Sequence, residues 1–203
     1  MRLLLDEQPC EVHAGSIGEA IRSAAALAED RGRLIIEVIV DGDRWDEEQL
    51  ASEEACAGVA EEIRCTSASR DELVARTLTD AADALTRADE LQREAAELIQ
   101  TDQAAEAKGM IGRAVNIWLT VLEAVARSAE ALQLDLGTFR VAGEPLPASI
   151  ERLKERLQSL QAALQMDDSV AVSDTLLYEL PDVVTEWREI LNDMQDHIQG
   201  EQI

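Results

Sequence analysis

A chain of 203 residues with 46% hydrophobic and 30% charged side chains buries a core without disulfide or metal staples and is too apolar to stay disordered. Its formal charge of −24 is spread along the whole length, with 7 basic and 16 acidic side chains in residues 1–70 and 11 and 26 in residues 71–203. Neither part offers a basic stripe, so the expectation is no nucleic acid and no membrane partner; the charge reads as an acidic solvated surface that keeps the protein soluble, with attraction to a basic partner as the sharper alternative.

Aromatic content is only 2%, so the core must be built from Leu, Ile, Val and Ala, which suits closely packed helices. Cys10, Cys56 and Cys65 are an odd set with no C-x-x-C spacing, which fits reduced thiols in a cytoplasm. Met1 to Leu5 meets Asp6 and Glu7 at once, too short for a signal-peptide core, and Glu37 interrupts the apolar run Leu34 to Val40, so no bilayer span is expected.

In chain order, Leu3 and Leu5 alternate with polar neighbours, Glu7-Gln8 offers a turn, and Cys10 and Val12 alternate again, which reads as a hairpin that also carries His13. Ser16-Ile17-Gly18-Glu19 has capping-box spacing, with Ile17, Ala20, Ile21, Ala24, Leu27 and Ala28 on one helix face to about Asp30 and Gly32 as the stop. Leu34 to Val40 is rich in β-branched residues and reads as a buried strand. Asp41-Gly42 is a turn signal, Arg44-Trp45 a short strand, Asp46 to Gly58 an irregular or helical connection, and Glu62 to Ser67 a last strand.

From Ser69 the pattern is helical. Val74, Leu78, Ala81, Leu85, Ala88, Gln92, Ala95 and Ile99 form one seam, and Ile111, Ala114, Trp118, Val121, Val125, Ser128 and Leu132 a second. Gly109 and Gly112 weaken the start of that second helix by about 1 kcal/mol each relative to Ala. Asp135 to Ala148, with two Gly and two Pro, reads as a loop before Ser149 opens a helix seamed by Ile150, Leu153, Leu157, Leu160 and Leu164. The last seam runs Val170, Ser173, Leu177, Leu180, Val184, Trp187, Leu191, Met194 and Ile198 and keeps register across Pro181, where a kink is expected.

The expected fold class is therefore α+β, with residues 1–68 as a small mixed domain and 69–203 as an all-α up-and-down four-helix bundle with long helices, at about 70–101, 103–134, 149–165 and 169–198. The third helix is the shortest. It leaves part of the apolar groove among the others without a wall, to be supplied by the 135–148 loop, the N-terminal domain, a second copy or a client helix. The order hairpin, helix, strand, short strand, connection, final strand resembles the β-grasp, or ubiquitin-like, layout. Residues 67–68 lead straight into helix where sulfur carriers and conjugated modifiers of that family end in a free Gly-Gly tail, so activated C-terminal transfer is not implied. The helical part, with Asp174, Leu176, Tyr178, Glu179 and Pro181, resembles uncharacterised bacterial four-helix-bundle proteins.

Little reads as chemistry. Asp41 to Glu48 fails the calcium-loop pattern, because Trp45 holds the fifth position and Gly the second. The two histidines, His13 and His197, lie in separate regions, and neither a nucleophile elbow nor a phosphate loop occurs. Expected cofactors, metals and catalytic residues are none. The candidate partner-binding residues are Trp45, Tyr178, Pro181 and Trp187, with Trp118 and Trp187 also expected in the core. The reading is a non-enzymatic cytoplasmic protein–protein interaction module, an adaptor or scaffold whose amphipathic grooves take up a basic or helical partner. Its rival is an acidic chaperone for a secreted or assembling subunit, which resembles the small acidic helical export chaperones of bacteria. An enzyme with a carboxylate-lined pocket has support only from composition. Long Ala-rich stripes also fit a homo-oligomer.

Overall fold

The computed structural model describes residues 1–12, 14–141 and 143–200, so His13 lies outside the described residues. The protein is mixed α+β and divides into two compact units, Met1–Leu73 and Val74–Ile203.

In the first unit, β1 (Arg2–Leu5), β2 (Gln8–Cys10), α1 (Ile17–Glu29), β3 (Arg33–Val40), β4 (Asp43–Arg44), α2 (Glu47–Ala51), α3 (Glu53–Ala57) and β5 (Glu62–Ser69) form one sheet with attendant helices. The strand order is β2-β1-β5-β3-β4, with β1 parallel to β5 and the other neighbours antiparallel. The opening hairpin turns at Asp6-Glu7, one residue earlier than the sequence suggests, because both residues adopt positive φ (50° and 62°) and Leu5 then pairs with Gln8. Asp41 and Gly42 (φ 51° and 94°) make the same kind of two-residue turn between β3 and β4. Ser16 caps α1 through its Oγ, which accepts from the Glu19 N–H at 3.3 Å, while the Glu19 carboxylate reaches past the cap to the Gly15 N–H at 2.7 Å.

α1 lays Ile17, Ala20, Ala24 and Ala28 against Leu3, Leu5, Val38, Val40, Ile63 and Cys65. The run Leu34 to Val40 is not a fully buried strand: Leu34 is 59% and Ile36 38% exposed. A bulge between Ile35 and Glu37 is the cause, since one extra residue turns Leu34 and Ile36 away from the face that carries Val38 and Val40.

Where β5 ends, Arg33 ties the unit together. Its guanidinium donates to the Ser67 Oγ (Nε, 2.8 Å), the Ser67 carbonyl (Nη2, 2.8 Å) and Glu72 (Nη1, 3.1 Å). Asp6 accepts from the Ser67 N–H at 2.7 Å and its Oγ–H at 2.6 Å. Ser69 and Glu72 close a capping box on α4 (Arg70–Gln100), as the Ser69 Oγ accepts from the Glu72 N–H and the Glu72 carboxylate from the Ser69 N–H. Hydrogen bonding to Arg33 and to the Ser69 backbone holds the Glu72 carboxyl below its ordinary value.

The second unit contains most of α4, then α5 (Ala104–Ala131), a small hairpin of β6 (Arg140–Val141) and β7 (Glu144–Pro145), α6 (Leu146–Gln165), α7 (Ser169–Asp174), a π-helical turn over Thr175–Glu179, and α8 (Leu180–Gly200). Two apolar clusters hold these helices together. One joins α4, α5, α6 and α8 around Trp118 and Trp187, and the other joins Ala95, Ala96, Ile111, Leu160, Val172, Leu176 and Leu180. α6 starts three residues before Ser149, since Pro147 suits the first turn of a helix, where its missing N–H costs nothing; Ser149 is buried inside it. Leu136, Phe139, Val141 and Leu146 from the predicted loop, with Leu132 and Leu134 from the end of the predicted second helix, pack on the first cluster, so this segment covers part of it.

Near Pro181 the chain neither breaks nor simply kinks. The Leu180 N–H bonds to the Thr175 carbonyl, five residues back, and the turn so widened accommodates one extra residue before the proline ring. The seam shifts accordingly: before the turn the buried residues are Val172, Thr175 and Leu176, whereas Val170 is 69% exposed and Ser173 and Leu177 are only half-buried. Beyond the turn, Leu180, Val184, Trp187, Leu191, Met194 and Ile198 are buried at the expected spacing.

Candidate functional site

α5 carries two apolar stripes. Ile111, Ala114, Trp118, Val121 and Val125 face the core, while Val115, Leu119 and Leu122 repeat at steps of four and three on an adjacent face. α6 shows the complementary pattern: Leu153 and Leu160 of its seam are buried, but Ile150, Leu157 and Leu164 are only half-buried. Between these two faces lies a groove of about 730 Å³, open to solvent and walled by α5 and α6. Lys108 bonds Asp167 just past the end of α6, and Leu122 and Ile150 mark the opposite end, so the walls run antiparallel. From Lys108 to Leu122 the groove is roughly 21 Å long, four turns of helix.

Two features shape the floor and the rim. Gly112 lines the groove, and a Cβ placed there would meet nothing within 4 Å, so the wall recedes at that turn. Among the described residues no carboxylate lines the groove, whereas both lysines, Lys108 and Lys154, do, with Asn116, Gln158 and Gln161 as the other polar groups. Each lysine has an exposed partner, Lys108 with Asp167 at 3.4 Å and Lys154 with Glu151 at 2.9 Å. The groove is thus apolar inside and nearly neutral at its edge.

Behind it sits a buried polar spot. Gln92 is 1% exposed, and neither atom of its amide has a hydrogen-bond partner; it lies among Ile111, Val115, Trp118, Leu157 and Leu180. The Trp118 and Trp187 rings meet edge to face at 5.9 Å between centroids, both fully buried and with indole N–H groups unpartnered.

The strongest ionic cluster lies elsewhere in this unit. Arg152 grips Glu186 with two bonds, Nη2 at 2.7 Å and Nε at 3.1 Å, and Glu144 through Nη2 at 2.7 Å, joining the small hairpin, α6 and α8. Burial raises the Glu186 pKa, but hydrogen bonds from Arg152 and Ser149 outweigh it and leave the carboxyl below its ordinary range. Burial first, with the neighbouring Cys10 and Asp6 charges, pushes the Cys65 thiol of the first unit up to about 11. No group of three or more His, Cys, Asp or Glu placed to hold a metal occurs among the described residues.

The four sequence-predicted partner residues differ in exposure and fall in both units. Trp187 is 0% exposed and belongs to the core, because the seam it sits on is covered by the other helices; Pro181 is half-buried after the π turn. Tyr178, 69% exposed, projects from that turn, beside Glu179, which pairs with Arg156 at 3.1 Å. Trp45 is half-buried against the first unit's core and lines a groove of its own. Sequence reading missed Val115, Leu119 and Leu122, although their spacing marks a second stripe on α5.

A family model described as "Domain of unknown function (DUF8042)" matches residues 76–190, more than half of the chain. The chain belongs to that family. The DUF8042 span contains both walls of the groove, the π turn, Gln92 and the Trp118–Trp187 pair, and it stops short of Leu191, Met194 and Ile198. No curated protein and no solved structure matches the chain. By length and composition α5, rather than the run Leu34 to Val40, is among the described residues the helix apolar enough to cross a bilayer, and its Ile111, Trp118, Val121 and Val125 are buried among the other helices.

Proposed function

We propose that this protein is a non-enzymatic interaction module whose α5–α6 groove receives a helix from a partner protein. The observation that carries the reading is the half-covered seam of α6: Ile150, Leu157 and Leu164 have core spacing but are only half-buried, and across the groove Val115 and Leu122 are half-buried and Leu119 exposed. An amphipathic helix of about four turns, with apolar residues at steps of three and four, supplies the missing ridge. The receding wall at Gly112 admits its backbone, and the nearly neutral rim sets no strong charge requirement. The engagement of Arg152, Glu186 and Glu144 with one another favours a structural over a catalytic role for the strongest ionic cluster.

The same reading takes the first unit as a β-grasp domain, supported by the order β2-β1-β5-β3-β4, the parallel β1–β5 pair and α1 packed on the sheet. It takes the second as an up-and-down four-helix bundle, supported by apolar clusters that draw on α4, α5, α6 and the α7–α8 segment. The three free thiols favour a cytoplasmic setting.

The test is a photo-crosslinking amino acid at Leu119, 56% exposed in the groove, with Glu123 as the off-groove control. Expected are crosslinks in the producing cell to a defined amphipathic segment, lost in Gly112→Leu, whose Cβ has open space within 4 Å and whose side chain occupies the groove. Crosslinks equally strong from Glu123, or indifferent to Gly112→Leu, overturn the reading.

A further inference from the structure

We propose that the open edge of β3 is a second docking site, which takes up an extended segment of a partner protein with alternating apolar and basic side chains, added as a strand beside Arg33–Glu37. The two edges of the sheet are treated differently. At one, β2 is three residues long and contains Pro9, which cannot donate to a further strand. At the other, β4 pairs only with Ile39 and Val40, so β3 from Arg33 to Glu37 has a strand neighbour, β5, on one side alone.

A groove of about 550 Å³ follows that edge, lined by Ile35, Ile36, Glu37 and Val38 and, opposite, by the segment from Arg44 to Glu47 with Leu50. Side chains alternate along a strand, so a groove against one face meets every second residue. Four consecutive residues of β3 line this one, which places it along the edge, where the backbone itself is part of the wall. The Trp45 N–H donates to the Val38 carbonyl at 2.9 Å and pins the far wall in position.

The chemistry of the walls selects the occupant. Ile36 and Leu50, both in the walls, are 38% and 37% exposed, and Leu34, on the same strand before the groove, is 59% exposed; the bulge at Ile35/Glu37 is what turns Leu34 and Ile36 outward. Edge strands in natural proteins are blunted with charge, proline or bulges; this one carries a bulge and Glu37, yet keeps Leu34 and Ile36 as exposed apolar side chains. Glu37, Asp46 and Glu47 line the groove against one cation, Arg44, which already pairs with Glu37 at 3.2 Å. A second copy of this chain would bring those carboxylates against their own kind, in a molecule of charge −24. A strand with Val or Ile at alternate positions and Lys or Arg between them satisfies the edge, the apolar anchors and the charge together. The five residues available span roughly 16 Å, so the segment is short.

The test uses three fluorescent synthetic peptides with the full chain, read by anisotropy: one alternating Val and Lys, one alternating Val and Glu, and the Val/Lys peptide with alternate backbone nitrogens methylated. Methylation keeps charge and side chains and removes the hydrogen bonds of strand addition. Expected are binding of the Val/Lys peptide at least tenfold tighter than either other peptide and a tenfold loss in Ile36→Arg. Met166→Arg, which makes the same change of charge at a 79% exposed position of the helical unit outside its groove, should bind as wild type. Amide shifts of the labelled protein should concentrate at residues 33–38, 44–47 and 50, which also reports that Ile36→Arg is folded. Equal binding of the methylated peptide, or equal weakening by Met166→Arg, overturns the proposal and reduces the attraction to charge alone; the α5–α6 groove stands or falls separately.

Discussion

The π turn before Pro181 holds one residue more than an unbroken helix would, and that makes a deletion informative. Removing Tyr178, 69% exposed, should let the segment close into continuous α-helix. Val172 and Leu176 then take the slots otherwise held by Ser173 and Leu177, so the buried set stays in the core, in step with Leu180, Val184 and Trp187. Pro181, however, would now stand in a regular helix interior, which costs about 3 kcal/mol. The single deletion should therefore lose about that amount, and the deletion combined with Pro181→Ala should return to within about 1 kcal/mol of wild type. A deletion at exposed Glu189 is the control. It rotates Ile190, Leu191, Met194 and Ile198, all 4% exposed or less, by about 100°. At about 1.5–3 kcal/mol per side chain that amounts to about 6–12 kcal/mol, as much as a typical domain has in total. Denaturant unfolding in a Trp45→Phe background isolates Trp118 and Trp187 as reporters of the helical unit. If the combined variant is as unstable as the Glu189 deletion, the turn is not a spare residue and the register argument is wrong.

Gln92→Met keeps the shape of the side chain and removes an amide with two unpartnered atoms, so unfolding should become harder by about 1–3 kcal/mol; a loss of stability in the same denaturant assay would mean that the amide is satisfied by ordered water. Folding stability should also fall on acidification. Burial raises the Asp6 and Glu186 pKa values, but hydrogen bonds from Ser67 to Asp6 and from Arg152 and Ser149 to Glu186 outweigh it, leaving both below the unfolded-chain values. Their contribution is therefore present above the ordinary carboxylate range and lost as pH drops through the lower folded values. Glu186→Gln should flatten the stability profile of the helical unit below about pH 5, and unchanged slopes would refute the assignment.

The parts of the fold that depend on one element alone were legible. The α4 seam from Val74 to Ala95 is buried as its spacing predicts, and the turn falls at Asp41-Gly42, because periodicity and turn chemistry act within a few residues. The parts that depend on a second element were not. In Leu34 to Val40 every residue but Glu37 is apolar, so composition could not reveal that a bulge, set by pairing with β5, splits them between two faces. Before Pro181, Val170, Ser173 and Leu177 continued the heptad as well as Val172 and Leu176 do, and only packing against Leu160 and Ile111 chooses between them.

The same limit hid the candidate site. A seam states which side of a helix is apolar, not how far away the next helix stands. Ile150, Leu157 and Leu164 read as core with Leu153 and Leu160, and nothing local separates the two groups. The distinguishing signal sat on the neighbouring helix, where Val115, Leu119 and Leu122 make α5 apolar over a wider arc than one seam requires. A helix with two stripes has more apolar surface than its own bundle covers. The gap between α5 and α6 is where that excess remains open, and the Gly112→Leu variant asks whether a partner uses it.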